Sequence, residues 1–569
     1  PGGRPPRAGR LAARPAPVEP RPAATGYNAR NTPLTSQPMS NPDASRAERR
    51  AARRSQRAES PLLKLPFRQL RNPFPPLEIL VAEQLERLHQ ASLRILEETG
   101  LLMLDAEALS LWAAAGALVV ATVYLAISGG ARVDQREQRV WLDRGLVLDL
   151  IARAPAGFTW RARDPAKSVF VGRDAITFAP QGGVVYALDL DRGRRPGVWE
   201  DYANFLKLIQ LSSPLQYTGE QVMALHDVPA SARHLRRLAG AITLTDKALM
   251  EAAHGRLITE DNLALARLVF GSLEGDPVIG GIINASSPLR YDERMLGGLI
   301  TYARAGQVTV ITPFILAGAM SPISLASALA QQNAEALAGI ALAQLVRPGA
   351  PVIYGGFTTN VDMKSGSPAF GTPEGAWAMV AGAQLARRYR LPYRGSGSLN
   401  TSKQPDAQAV AETLWTIWPA VLAHTNFIMH SAGWLEGGLS ASYEKFIIDL
   451  ESVAMFYHFL GGFEISPETL ALDMIAEVGP GGHHFGTAHT QARFSTEFYQ
   501  PFLADRQNYE TWLAAGGQDA AQRANLIWKD LLARYEPPAL AQGVRESVLD
   551  NARRLERDLD DQRCEQRQQ

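Results

Sequence analysis

Apolar positions change spacing along this chain, and the changes predict its elements. From Leu77 to Gly100 the run LEILVAEQLERLHQASLRILEETG places apolar residues at helical intervals and ends on glycine, which predicts an amphipathic helix with a glycine cap. The run ITFAPQGGVVYALDL (176–190) alternates and breaks at Gly182 and Gly183, which predicts a β-hairpin turning there. Residues 75–205 accordingly form an N-terminal α/β extension. Beyond residue 210 short apolar runs take over: LQYTGEQV (215–222), ALMEAA (248–253), PVIGGIIN (277–284), VTVITPFIL (308–316), PVIYGGFTT (351–359), LPYRGSGSL (391–399) and NFIMHSAG (426–433). From the third onward each precedes a helical stretch, such as SLASALAQQNAEALAGIALAQLV (324–346) or AQAVAETLWTIWPAVLA (407–423).

Buried strands alternating with helices, at a repeat of about 30 to 40 residues, imply a parallel sheet. Seven or eight such units suit a closed barrel better than an open sheet. The fold expected is α/β, a (βα)8 TIM barrel over 206–490, followed by a C-terminal helical segment and polar tail over 491–569. No GxGxxG or GxxxxGK[ST] motif opens any of these helices, so neither a dinucleotide nor a triphosphate site is indicated.

Charge separates a leader from this body. Residues 1–60 hold twelve Arg, no Lys and four acids, a balance of +8 in a chain that nets +1. Rich also in Pro and Ala, the stretch 1–70 reads as a disordered, solvated leader rather than a nucleic-acid tether. The stretch from Met39 resembles an ordinary polar start, so a mis-assigned start before it is the expectation. The most apolar run, ALVVATVYLAIS (117–128), has twelve residues against the roughly 20 of a spanning helix. No membrane span is expected. The single cysteine, Cys564, lies in the polar tail, which excludes an internal disulfide and a zinc-thiolate site in the body and fits a cytoplasmic setting.

Polar and aromatic side chains gather just past three of the strands, as a small-molecule site requires. After PVIYGG come Phe357, Asn360, Asp362 and Lys364; after LPYRGSGS come Asn400, Lys403 and Asp406; on and after NFIM come His430, Trp434 and Glu436. An Asn or Asp in such a place also commonly caps the next helix. A further string, EVGPGGHHFGTAHT (477–490), concentrates His483, His484 and His489. Their spacing matches no familiar metal pair, so a glycine-rich loop whose histidines bond locally or line the pocket is expected, with no metal.

The blocks YGGFTTNVDMKSGSPAFGTPE (354–374), GSLNTSKQPDAQAVAETLW (397–415), FIMHSAGWLEGGLSASYEKFIID (427–449), EVGPGGHHFGTAHTQARF (477–494) and RARDPAKSVFVG (161–172) resemble signature segments of the trimethylamine methyltransferase family. The resemblance runs in order from about residue 75 to 560, and GALVVATVYLAISGGARVD (116–134) interrupts it. It implies a methyltransferase on a (βα)8 barrel that demethylates an amine and methylates the corrinoid of a partner protein, with no cobalamin bound tightly to this chain. A small methylated amine, a corrinoid protein and a second copy of the chain are the partners expected, and neither nucleic acid nor membrane. The archetypal trimethylamine enzymes contain pyrrolysine, whereas this sequence has common residues throughout, including Gly395 to Lys403. Members without it resemble enzymes for glycine betaine and related quaternary amines.

A quaternary ammonium offers no N–H, so aromatic faces and carboxylates must hold it. Tyr354, Phe357 and Trp434 are the expected cage. For a betaine carboxylate the available donors are His430, Asn360 and Lys403, while Glu436 and Asp362 would balance the cation. His430 and Glu436 are the expected catalytic residues. Two other readings stand beside this one: a metal-dependent barrel hydrolase or lyase using the His483 region, and a non-catalytic betaine-binding or regulatory barrel.

Overall fold

The computed structural model describes residues 61–115 and 130–568. The leader before residue 61 and the apolar run 117–128 lie outside them. The described body is folded from its start: Leu62, in the 3-10 turn Pro61–Lys64, is fully buried, earlier than the expected beginning near residue 75.

An eight-stranded, curled sheet forms the centre. Its strands are β1 (Leu70–Arg71), β2 (Ala175–Phe178), β3 (Leu249–Met250), β4 (Ile279–Ile283), β5 (Val308–Ile311), β6 (Val352–Gly355), β7 (Tyr393–Ser396) and β8 (Phe427–Met429). They neighbour one another in the order β1-β2-β8-β7-β6-β5-β4-β3. Only the β1–β2 pair is antiparallel. Residues 216–218 run beside β2 and beside Ala248, which precedes β3. The Gln216 amide donates to Phe178 O at 2.9 Å, and the Thr218 amide donates to Ala248 O at 3.0 Å.

The helix expected at 77–100 is α1 (Ala82–Arg94), which continues through one wider turn to Gly100 at φ 69°. Eight more follow the strands and the 216–218 segment in turn: α2 (Trp199–Leu211), α3 (Arg233–Leu244), α4 (Arg256–Phe270), α5 (Glu293–Arg304), α6 (Leu325–Val346), α7 (Pro373–Arg388), α8 (Ala407–Leu422) and α9 (Tyr443–Phe459). Side-chain oxygens start several of them. Asp292, Ser324, Thr372, Asp406 and Ser442 each accept an amide of the first turn, so Asp406 serves as a helix cap. Among the described residues no helix is long and apolar enough to cross a membrane.

The hairpin expected at 176–190 does not form. Its first half is β2, which pairs with β1 and β8, while Tyr186–Asp189 joins Gly193–Pro196 and Ser440–Ser442 in another sheet. Alternation marked both halves as strands without saying which partner each takes. β2 is buried at every position, as a strand covered on both faces must be. The central sheet thus begins before residue 206.

Period-two alternation sorts the strands' side chains into two layers. Tyr217, Met250, Ile282, Val308, Val310, Ile353, Phe427 and Met429 pack together inside the curl, whereas Val352, Tyr354 and Tyr393 pack outward under the helices. The hairpin of Gly157–Trp160 with Val169–Gly172 places Trp160 against the inner layer, 5.1 Å from Tyr217 and 6.2 Å from Phe427, ring centre to ring centre. Phe427 is the first residue of β8, so the N-terminal end of the sheet is filled. Polar groups concentrate at the other end.

Candidate functional site

Arg394, the second residue of β7, faces inward where its neighbour Tyr393 faces out. Only 2% exposed, it donates from Nη1 to Gly356 O at 3.2 Å and from Nη2 to Met429 Sδ at 3.4 Å. The same Nη2 lies 3.3 Å from His430 Nε2, and the guanidinium stands 5.0 Å from the Phe357 ring centre. Burial pulls its pKa down to about 10, against the opposing pull of Tyr393 and Glu220, so it remains a cation at neutral pH. Its Nε is buried without a partner.

His430 follows β8 directly and is held in the left-handed region at φ 57°, a strained conformation for a residue with a Cβ. Two strand ends fix it there: its amide donates to Pro180 O at 3.1 Å, and its carbonyl accepts from the Ser398 amide at 2.7 Å. Burial, helped by Arg394, drives its pKa well below the ordinary histidine value, so the ring is neutral. Since Arg394 has only protons to give, Nε2 accepts, and the hydrogen-bond network assigns the ring proton to Nδ1. Nδ1 is buried and unpartnered. Two buried N–H donors, one on each of these contacting side chains, therefore stand unused.

Acceptors lie nearby. Gln181, fully buried, keeps its Oε1 without a partner, and its amide donates to Ala432 O at 3.1 Å in the His430 loop. Glu220, just past the 216–218 segment, accepts the Ile282 amide at 2.7 Å. Burial pushes its pKa up to about 8, with Glu251 adding to the rise and the Ile282 bond, Arg237 and Arg394 opposing it. Gly182 brings these pieces together: a Cβ there would stand 2.7 Å from Glu220 O and 2.8 Å from Met429 Cε. Beyond Glu220, Glu251 Oε1 receives Arg237 at 2.9 and 2.6 Å, while its Oε2 is buried and unpartnered.

Aromatic side chains complete the end in a closed circuit. Phe357 stacks on Phe370 at 5.7 Å, Phe370 meets Trp434 edge-on at 5.1 Å, Trp434 lies 5.6 Å from His430, and His430 5.8 Å from Phe357. The loop bearing Trp434 is pinned from behind, because the Gly433 amide donates to Asp449 Oδ2 at 2.9 Å and Asp449 is paired with the fully buried Lys445. Asn400 donates to the Trp434 carbonyl at 2.6 Å, so it positions the loop.

Of the residues expected from sequence, the structure brings His430, Phe357 and Trp434 together. Tyr354 leaves the cage: as the outward residue of β6 it donates to Asn333 Oδ1 at 3.0 Å, accepts from Gln332 at 3.2 Å, and packs beside Tyr389 and Tyr393. Asp362 is half-buried and closes its own turn, accepting the Lys364 and Ser365 amides and the Ser365 hydroxyl. Lys403 is exposed and donates to Thr401 O at 2.8 Å. Asn360 is half-buried and spends its amide on Val361 O at 3.2 Å. Glu436 is already paired with Arg194 at 2.8 Å and accepts the Ser440 hydroxyl at 2.5 Å; burial raises its pKa, and these two bonds outweigh it and hold the pKa below the ordinary value. His483 and His484 are exposed and His489 is half-buried. Among the described residues no three His, Cys, Asp or Glu side chains are grouped to hold a metal ion.

Sequence reasoning missed Arg394, Glu220, Gln181 and Phe370. A charge inside the otherwise apolar LPYRGSGSL was the available signal for the first, and one inside LQYTGEQV for the second.

The family model described as trimethylamine methyltransferase matches residues 46–559. A glycine betaine methyltransferase of Desulfitobacterium hafniense is 40% identical over 470 residues, covering 82% of this chain and 95% of that protein. A trimethylamine methyltransferase of the same species is 32% identical over 466 residues, covering 81% of this chain and 90% of that one.

Proposed function

The chain belongs to the trimethylamine methyltransferase family, and from that premise we propose that it takes a methyl group from a quaternary amine of the glycine betaine kind and delivers it to a corrinoid carried by a separate protein. It is a transferase of one-carbon groups acting on a methylated amine. The finer reading concerns which amine, and it rests on one observation. Two buried donors without partners, Arg394 Nε and His430 Nδ1, adjoin the aromatic circuit of Phe357, Phe370 and Trp434.

That pairing suits a zwitterion whose cation cannot donate a hydrogen bond. The carboxylate takes the two N–H groups, each of which otherwise stays buried and unpaired at a cost. The trimethylammonium group lies against the aromatic faces, each contact contributing about 0.5 to 2 kcal/mol. Glu220, held near pKa 8, supplies the compensating charge by giving up its proton as the cation arrives.

The chemistry needs little from acids or bases. A quaternary nitrogen already carries its positive charge, so the N–CH3 bond breaks with its electron pair remaining on nitrogen and a neutral tertiary amine departs. The corrinoid supplies the electron pair that takes the methyl group. What this chain's residues contribute is placement of the donor methyl in line with the acceptor and exclusion of water. Arg394 and His430 anchor one end of the substrate; the aromatic circuit fixes the other.

For access we read the curled sheet as a closed (βα)8 barrel, with residues 216–218 as the stave between β2 and β3. The hydrogen bonds from Gln216 to Phe178 and from Thr218 to Ala248 support it, as do the helices α2 to α9 in sequence. Such barrels carry their sites at the C-terminal ends of the strands. The test mixes the protein with reduced corrinoid partner and glycine betaine and follows methyl-cobalt absorbance. No methyl transfer from any quaternary amine would overturn the proposal.

A further inference from the structure

After α9 the chain makes an excursion that buries almost nothing. Leu460 is buried at its root, and at its far end the Tyr499 hydroxyl donates to Glu451 Oε1 at 2.6 Å, while the Phe502 and Leu503 amides donate to Glu451 Oε2 at 3.1 and 2.7 Å. Both feet stand on one helix. Between them the short helices Pro467–Leu470, Leu472–Val478 and Ala488–Arg493 contain no buried residue. Phe463 is 86% exposed, Phe485 80%, Ile465 73%, Phe498 70%, Leu472 66% and Phe494 64%.

Scattered apolar residues on a surface are ordinary; a whole segment of them is not. The four phenylalanines alone present roughly 600 Å² of ring surface, given the 150 to 250 Å² such side chains bury. Ile465 and Leu472 raise this toward the approximately 800 Å² that one partner contributes to a specific interface. The same chain carries a matching concavity. A groove of about 990 Å³ runs between α1, α6 and α7, lined by Leu80, Leu88, Ile95, Leu329 and Trp377 among others. Trp377, 54% exposed, stands in it.

We propose that the arm 461–498 of one copy docks into the α1–α6–α7 groove of a second copy of this chain. The arm's position selects this occupant. α9 begins beyond the C-terminal end of β8 and runs back, so its last residues lie at the opposite end of the sheet from Arg394 and His430. There Phe459 meets Phe74 at 5.8 Å, and the Phe74 carbonyl bonds His424, which precedes β8. On the functional reading above, a methyl-accepting protein approaches the Arg394 end, away from the arm's root. The leader 1–60 is a poor filler for the groove, with Leu11, Val18, Leu34 and Met39 as its only aliphatic residues larger than Pro and Ala.

The experiment measures the mass of the full chain by light scattering and mass photometry, beside Phe463→Glu with Phe485→Glu in the arm and Trp377→Glu in the groove. These side chains are exposed, so the variants keep their fold, checked by circular dichroism. The wild type should form a stable oligomer of the 61.9 kDa chain, and each variant should shift to the single-chain mass at the same concentration. A monomeric wild type would overturn the proposal, and so would an oligomer that survives either set of changes. Activity is not the readout, so failure here leaves the proposed reaction standing, and the converse holds.

Discussion

Arg394 Nη2 lies 3.3 Å from His430 Nε2, a cation donating to a ring that burial and the cation together keep neutral. Burial and the guanidinium oppose protonation of the imidazole, and the imidazole, by accepting at Nε2, leaves its Nδ1 proton buried without a partner. On the proposed reading the two free N–H groups receive the substrate carboxylate, and each is costly to leave buried and unpaired.

Replacing Arg394 by Met separates function from stability. Exchanging this one cation for an apolar side chain removes its desolvation cost but leaves Gly356 O and His430 Nε2 short of a donor, at about 1 to 3 kcal/mol for an orphaned buried group. Removing one partner of a buried charged contact with a ligand costs about 2 to 5 kcal/mol. Arg394→Met is therefore expected to fold but melt lower than the wild type, and its apparent affinity for a betaine, measured at temperatures where it is folded, should fall at least tenfold. Unchanged affinity in a well-folded variant would remove Arg394 from the site.

Glu220 should make stability depend on pH in an unusual direction. Its pKa is about 8 in the folded protein, above the ordinary glutamate value in the unfolded chain, so between those values the folded state holds the extra proton. The stability this contributes is fully present below the unfolded pKa and is lost as pH rises through 8. Melting temperature should fall between pH 6 and 9 in the wild type and fall less in Glu220→Gln. A cationic donor should in turn bind more tightly as pH passes 8. Identical slopes for the two proteins would refute the assignment.

The alternation of buried runs and helices made the architecture readable, because a strand covered on both faces has to be apolar throughout and a helix has to show a periodic stripe. Pairing was less readable. Nothing in ITFAPQGGVVYALDL says that its halves join different sheets, since alternation reports burial and not partners. Among site residues, Phe357, His430 and Trp434 were legible as polar or aromatic groups just past strands. Tyr354 was misplaced because a one-residue shift along a strand reverses the face: Ile353 points in and Tyr354 points out. Arg394 and Glu220 went unread because a charge inside a strand looks like a blemish in the pattern until the fold shows what surrounds it.

Two of the displaced candidates give a bystander test. Tyr354→Phe removes the donor to buried Asn333 Oδ1, which should lower stability by about 1 to 3 kcal/mol. Asp362→Asn weakens an exposed turn and should lower it by less than about 1 kcal/mol. Both should retain wild-type affinity for the methyl donor at temperatures where they are folded. A tenfold loss of affinity in either would return that residue to the site.

The last prediction concerns substrate class and rests on charge. A tertiary amine carries positive charge on nitrogen only while protonated, and it has no carboxylate for Arg394 and His430 to hold. The acid in the cluster with a proton to lend it reversibly is Glu220, since His430 is held neutral, Glu436 is paired with Arg194, and Lys403 is out at the surface. A quaternary amine arrives already charged and needs only the aromatic circuit and a compensating carboxylate. Methyl transfer should therefore proceed with glycine betaine and not with trimethylamine, measured as methyl-cobalt formation with the same reduced corrinoid partner. Trp434→Ala should weaken betaine binding by about 0.5 to 2 kcal/mol, roughly two- to thirtyfold, and Trp434→Phe should restore part of it, because a smaller aromatic face still attracts a cation. Turnover of trimethylamine with no response to any betaine would mean that a group in this cluster activates tertiary nitrogen after all, and the reading of Arg394 and His430 as a carboxylate anchor would fall with it.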